Sequence, residues 1–168
     1  MSPRRVLVLG GARSGKSAFA ERQAAESGAP VLYVATATAL DEEMAARIRA
    51  HQARRPSDWR TLDAPTVLPN DAGGARTVVV EDLTLLLFNL MQQDAPAGAE
   101  REAMAQVERV CSVSASVIIV SNEVGMGIVP AVPLGRLFRD ALGRVNQRAA
   151  ERMDEVYVLF AGLPLRLK

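Results

Sequence analysis

An α/β fold of the P-loop, RecA-like kind, with a mainly parallel sheet flanked by helices, is the class this sequence predicts, and three observations predict it. Short runs rich in Val, Ile and Leu alternate with longer amphipathic stretches, the pattern of buried parallel strands joined by crossover helices. The first apolar run leads directly into Gly10-Gly11-Ala12-Arg13-Ser14-Gly15-Lys16-Ser17, and that segment leads into an amphipathic stretch. Apolar residues make up 49% of the chain and charged residues 23%, the balance of a globular protein.

Taken in order, the strands are expected at 5–9, 31–35, 77–81, 116–121 and 155–160, each bounded by turn or polar residues. Helical periodicity falls at 16–27, 41–52, 83–93, 100–110 and 134–153. The second helix opens on Asp41, Glu42 and Glu43, whose charge suits the positive end of a helix dipole, and closes among Arg47, Arg49, Arg54 and Arg55. Residues 94–98 carry Pro and Gly between two helical patterns, and residues 71–75 carry a Gly pair just before a strand, so both read as loops. At 168 residues, without a linker or an internal repeat, the chain is expected to form one domain over 1–168.

Charge and composition narrow the partners. The 20 basic and 19 acidic residues leave a formal charge of +1, so no overall field draws the chain to nucleic acid or anionic lipid, and small molecules are the expected partners. No apolar run approaches the roughly 20 residues of a membrane span, and the first nine residues hold too short an apolar core for a signal peptide, so a cytoplasmic location is expected. The single cysteine, Cys111, is expected at the end of a helix as a buried structural thiol.

The glycine-rich segment carries the chemistry. Its glycines let backbone N–H groups turn inward around phosphate oxygens, where a Cβ would clash or force an unfavourable φ, and the helix that follows adds the positive end of its dipole. Lys16 is placed to reach the β- and γ-phosphates, and the Ser17 hydroxyl to ligate the Mg²⁺ that accompanies a nucleoside triphosphate. A partner acid is required, and the run Val78-Val79-Val80 ends in two, Glu81 and Asp82. Spacing leaves open which of them orients the metal, since Asp82 is equally suited to cap a helix starting at Leu83.

Several further stretches resemble one family, the bifunctional adenosylcobinamide kinase/adenosylcobinamide-phosphate guanylyltransferases of cobalamin biosynthesis. They are GGARSGKS at Gly10, LYVATATALDEEMAARIRAH ending at His51, RPSDWRT ending at Thr61, SNEVGMGIVP ending at Pro130, and GRVNQRAAERMDEVY ending at Tyr157. The resemblance implies two reactions: phosphorylation of adenosylcobinamide by ATP or GTP, then transfer of GMP from GTP to the product through a guanylylated histidine. His51, the one histidine of the chain, stands where the family's motif has that nucleophile. Read without the family, a lone His in an arginine-rich helix is most often a solvated surface residue.

The resemblance further implies nucleotide contacts from Gly10, Gly11, Ala12, Arg13, Ser14, Gly15, Lys16 and Ser17, from Ala35, Thr36 and Ala37 after the second strand, and from Gln52, Ala53, Arg54 and Arg55 after the nucleophile. Asp63 and Glu81 match its acidic nucleotide-contact positions, Glu81 also serving the metal, and a homotrimer is implied. Segments 62–76 and 94–100 are short for the family, which bears on the rim that meets the corrinoid. Asn122 and Glu123, after the fourth strand, are candidate corrinoid-side or catalytic residues, with a glycine-rich structural turn as the alternative. A nucleotide-binding regulator and a simple small-molecule kinase are the competing functional classes.

Overall fold

The computed structural model describes residues 3–39 and 42–168; the side chains of Glu43, Met44, Arg47, His51 and Arg54 lie outside the described residues. In chain order the elements are β1 (Arg5–Gly10), α1 (Lys16–Glu26), β2 (Val31–Ala35), α2 (Glu42–Arg54), β3 (Arg60–Asp63), β4 (Thr77–Glu81), α3 (Leu83–Met91), α4 (Pro96–Cys111), β5 (Ser116–Asn122), α5 (Pro133–Arg152), β6 (Glu155–Phe160) and β7 (Leu163–Arg166). The strands form one sheet in the order β3-β2-β4-β5-β1-β6-β7. Every neighbouring pair is parallel except β6 with β7.

Alternation along the central strands divides the core between the two faces of the sheet. In β4, Val78 and Val80 join the larger apolar cluster with Leu83, Leu86 and Leu87 of α3, whereas Val79 joins the smaller one with Phe19 and Ala20 of α1. The larger cluster also takes Ala103 and Val107 of α4 and Leu142 and Val145 of α5. Strands covered on both faces need continuous apolar runs, which is why the five central strands were legible.

The two edge strands were not. β3 is Arg-Thr-Leu-Asp, with one apolar residue and all four positions exposed, and it exists because β2 offers it a parallel ladder from Leu32 to Ala35. β7 carries Pro164, which an edge strand tolerates because a missing N–H costs nothing on its open side. The expected loop at 94–98 is corrected as well: α4 begins at Pro96, where a missing donor and a fixed φ suit the first helical position, and Ala95 N–H donates to Asp94 Oδ1 at 2.7 Å just before it. Of the acidic start expected for the second helix, Asp41 lies outside the described residues.

Cys111 closes α4 as expected, half-buried, and burial pushes its thiol up to about 11. Nearby, the Arg5 guanidinium gathers three carbonyls of the turn leading into β5: Nε donates to Cys111 O at 2.9 Å, Nη1 to Ala115 O at 2.7 Å and Nη2 to Val113 O at 2.9 Å. One cation thus satisfies the frayed end of α4 and fixes where β5 starts against β1. Arg5→Met is expected to destabilise the fold by about 2 kcal/mol, since charge-assisted bonds to carbonyls left half-buried are lost. Thermal unfolding checks this, as a fall in Tm of roughly 4–8 °C for a domain of this size.

Candidate active site

Parallel strands deliver their C-terminal ends to one edge. Register places Asp63 of β3 beside Ala35 of β2, Ala35 beside Glu81 of β4, and Gly10 of β1 between Asn122 of β5 and Leu159 of β6. The glycine-rich loop, the acidic pair, Asp63 and Asn122 therefore share the edge where open α/β sheets bind ligands.

The loop is shaped by its own residues and by a neighbour. Gly15 holds φ +93° at the N-cap of α1, and a Cβ there would sit 3.2 Å from Gly162 Cα. At Gly10 a Cβ would come within 3.0 Å of Leu159 O and closer still to Ser14 Oγ. Gly162 N–H donates to Ser14 O at 2.9 Å, so the turn between β6 and β7 braces the loop from outside. Lys16 is buried, its Nζ 3.3 Å from Gly11 O, and the first turn of α1 carries no acid to oppose an anion.

The two acids separate into different tasks. The Ser17 hydroxyl donates to Glu81 Oε1 at 2.5 Å, and Glu81 Oε2 is buried with no partner among the described residues. Burial first, and Asp82 second, push the Glu81 carboxyl up to about 8. Asp82 caps α3: its Oδ1 accepts from Leu85 N at 2.8 Å. Its Oδ2 accepts from Asn122 Nδ2 at 3.2 Å, and burial raises its carboxyl too. Adjacent buried carboxyls, an unsatisfied oxygen and a hydroxyl are hard oxygen donors, and the set fits a Mg²⁺ ion accompanying a nucleotide.

Thr36 and Asn122 fix these groups. Thr36 Oγ1 accepts from Asp82 N at 2.7 Å and faces the carbonyls of Glu81 and Asp82 at 2.9 and 2.8 Å, while Thr36 O accepts from Asn89 Nδ2 at 2.8 Å. Asn122 Nδ2 also donates to Thr84 Oγ1 at 2.8 Å, and Asn122 O accepts from Asn146 Nδ2 at 3.0 Å. Sequence reasoning missed Asn89, Thr84 and Asn146. Asn146 left a signal, being a polar residue on the buried stripe of α5 beside Ala141, Leu142, Val145 and Ala149.

The β3 side is more open. Asp63, Gln52 and Ala53 are exposed, and Ala37 is half-buried. Arg55 stacks its guanidinium 3.6 Å from the centre of the Tyr33 ring and donates to Thr61 Oγ1 at 3.0 Å. That contact anchors the segment following α2 to β2 and β3. His51 lies one turn before Arg55, in the helix, and its side chain, like that of Arg54, is outside the described residues.

The family model described as cobinamide kinase/cobinamide phosphate guanyltransferase matches residues 6–167. The chain belongs to this family. It is 47% identical over 168 residues to the bifunctional adenosylcobalamin biosynthesis protein CobP of Pseudomonas aeruginosa, covering 98% of this chain and 97% of that protein. It is 40% identical over 180 residues to the bifunctional adenosylcobalamin biosynthesis protein CobU of Salmonella typhimurium, covering 97% and 99% of the two. Among solved structures, the RadB recombinase overlays with a TM-score of 0.49 at 14% identity, covering 94% of this chain and 74% of that one. No helix among the described residues is long and apolar enough to cross a membrane.

Within this family enzyme the raised Glu81 carboxyl makes a pH prediction. Its folded value of about 8 lies above the ordinary carboxylate value of 4.5, so protonation favours the folded state. The contribution is fully present below pH ~4.5 and is lost as pH rises through about 8. Without nucleotide or divalent cation, thermal stability is expected to decline across that window, and Glu81→Gln is expected to flatten the decline. An equal slope in the variant would assign it to another group.

Proposed function

We propose that this chain phosphorylates the hydroxyl of adenosylcobinamide with ATP or GTP, then transfers GMP from GTP to that phosphate, yielding adenosylcobinamide-GDP. The observation that carries the reading is the phosphate loop set against the Ser17–Glu81 pair at the sheet edge of a chain in the cobinamide kinase/guanyltransferase family. In the first reaction the acceptor oxygen bonds to the γ-phosphorus while the bond to the β-bridging oxygen breaks, so a nucleoside diphosphate leaves. Little covalent work is asked of the protein, and positioning with charge stabilisation supplies the rate. Lys16 stabilises charge on the β- and γ-phosphates, and the loop N–H groups hold their oxygens. Ser17 and Glu81 would hold Mg²⁺, which supplies neutralisation of phosphate charge when bound.

In the second reaction a neutral ring nitrogen of His51 bonds to the α-phosphorus of GTP as pyrophosphate departs. The acceptor's phosphate oxygen then takes the phosphorus, breaking the N–P bond and restoring the imidazole. Splitting the displacement avoids direct attack of one anion on another. Asp63, Ala35, Thr36, Ala37, Gln52, Ala53, Arg54 and Arg55 belong to the nucleotide side. A carboxylate such as Asp63 can accept from the guanine N1–H and N2 amine, a pairing that adenine cannot return. We further propose a cytoplasmic homotrimer, for which the mass of the particle in solution is the check.

Lys16→Ala is expected to lose both reactions by about a hundredfold or more, because it removes a charge that the transition states share. Steady-state assays of each step measure this, and a variant retaining near-normal rates would remove the loop from the mechanism. His51→Ala is expected to keep kinase activity while losing adenosylcobinamide-GDP formation. Incubation with GTP labelled at the α-phosphate is expected to leave an acid-labile, base-stable label on the denatured wild-type protein and none on the variant. A label that persists in the variant would mean a different nucleophile.

A further inference from the structure

We propose that the segment after β5, residues 124–135, is the platform on which the corrin ring of the acceptor rests during phosphoryl transfer. This rests on the reading that the chain phosphorylates a cobinamide. Position is the first argument. Asn122 lies level with Gly10 on the neighbouring strand, and Glu123 N–H donates to Gly10 O at 3.1 Å. The first residue of the loop is therefore one strand spacing, ~4.8 Å, from the end of β5, so the segment starts beside the loop in which a γ-phosphate would meet the attacking hydroxyl. Bulk attached to that hydroxyl has to lie outward from the edge, where residues 124–135 run.

Chemistry is the second argument. Residues 124–135 include no charged side chain, in a chain that is 23% charged. They turn apolar groups outward: Ile128 is 97% exposed and Met126 75%, with Val124, Val129, Val132 and Leu134 exposed beside them. Contiguous exposed apolar side chains of this number mark a recognition surface. A corrin is a broad, methyl-studded ring with neutral amide arms, and an uncharged apolar surface suits it. The opposite flank of the edge, with Asp63, Arg55 and Gln52, is polar and suits the nucleotide.

The segment is also held in shape. Glu123 Oε1 accepts from Gly125 N at 2.5 Å, and Arg136 Nη1 donates to the carbonyls of Pro130 and Ala131, both at 2.8 Å. The cation that follows the segment in sequence is thus turned onto its backbone. A surface fixed before binding loses less entropy when the ring arrives.

Ile128→Glu tests the proposal, because so exposed a residue has no packing to lose on replacement. With cobinamide and MgATP, KM for cobinamide is expected to rise at least about tenfold while kcat at saturation changes little, the signature of lost binding shared by ground and transition states. Ile128→Leu is expected to restore KM. Self-guanylylation from GTP, which needs no corrinoid, is expected at the wild-type rate, and the mass of the particle in solution is expected unchanged. An unaltered KM would overturn the proposal. So would a fall in particle mass, which would assign the segment to contact between copies of the chain, or a parallel loss of self-guanylylation. Wild-type protein that phosphorylates no cobinamide would instead overturn the functional reading itself.

Discussion

Parallel pairing of β1 with both β5 and β6 is the constraint on which the site depends. Because those strands run the same way, the glycine-rich turn leaving β1 is flanked on one side by Asn122 and on the other by Leu159. Inserting β5 between β1 and β4 then keeps one whole strand between Glu81 and the strand that leads into the loop. The gap is bridged from above by α1, whose first turn brings the Ser17 hydroxyl to Glu81. Loop, hydroxyl and carboxylate come from three different segments, and the sheet register together with the placement of α1 makes them meet.

The edge is dense in polar groups at the end of an apolar core, and that density is costly unless the groups are paired. Thr36 satisfies the Asp82 N–H and ties the end of β2 to that of β4. Asn122 does the same between β5 and α3, and Asn146 reaches from α5 to hold Asn122 in turn. Among the described residues, Ser14 Oγ and Glu81 Oε2 are two of the buried side-chain atoms left without a hydrogen-bond partner, and both lie at the edge where ligand chemistry is expected.

How far the sequence could be read depended on whether a residue's role was local. Strands buried on both faces announce themselves by composition, as do the phosphate loop and the helix stripe of α5. β3 and β7 do not, because their pairing comes from a neighbour rather than from their own apolar pattern. The start of α4 at Pro96 was hidden because the same Pro and Gly that mark a loop also suit a first helical turn. In the site, spacing could not separate Glu81 from Asp82. Their tasks part only when Ser17 approaches one and the backbone of α3 the other, and both approaches are tertiary. Thr84, near the start of α3, and Asn89, near its end, left no sequence trace, since a polar residue at either end of a helix has many uses.

The contact between Gly162 and the phosphate loop has a consequence for how the molecule transmits disturbance. The β6–β7 turn touches the loop through the Ser14 carbonyl and lies against Gly15, so the last hairpin acts as a mechanical stop behind the nucleotide cradle. A disturbance of the chain near Leu163 therefore reaches the loop through a single hydrogen bond and one close packing contact. The part of the chain most distant in sequence from the cradle is thus among the nearest to it in leverage.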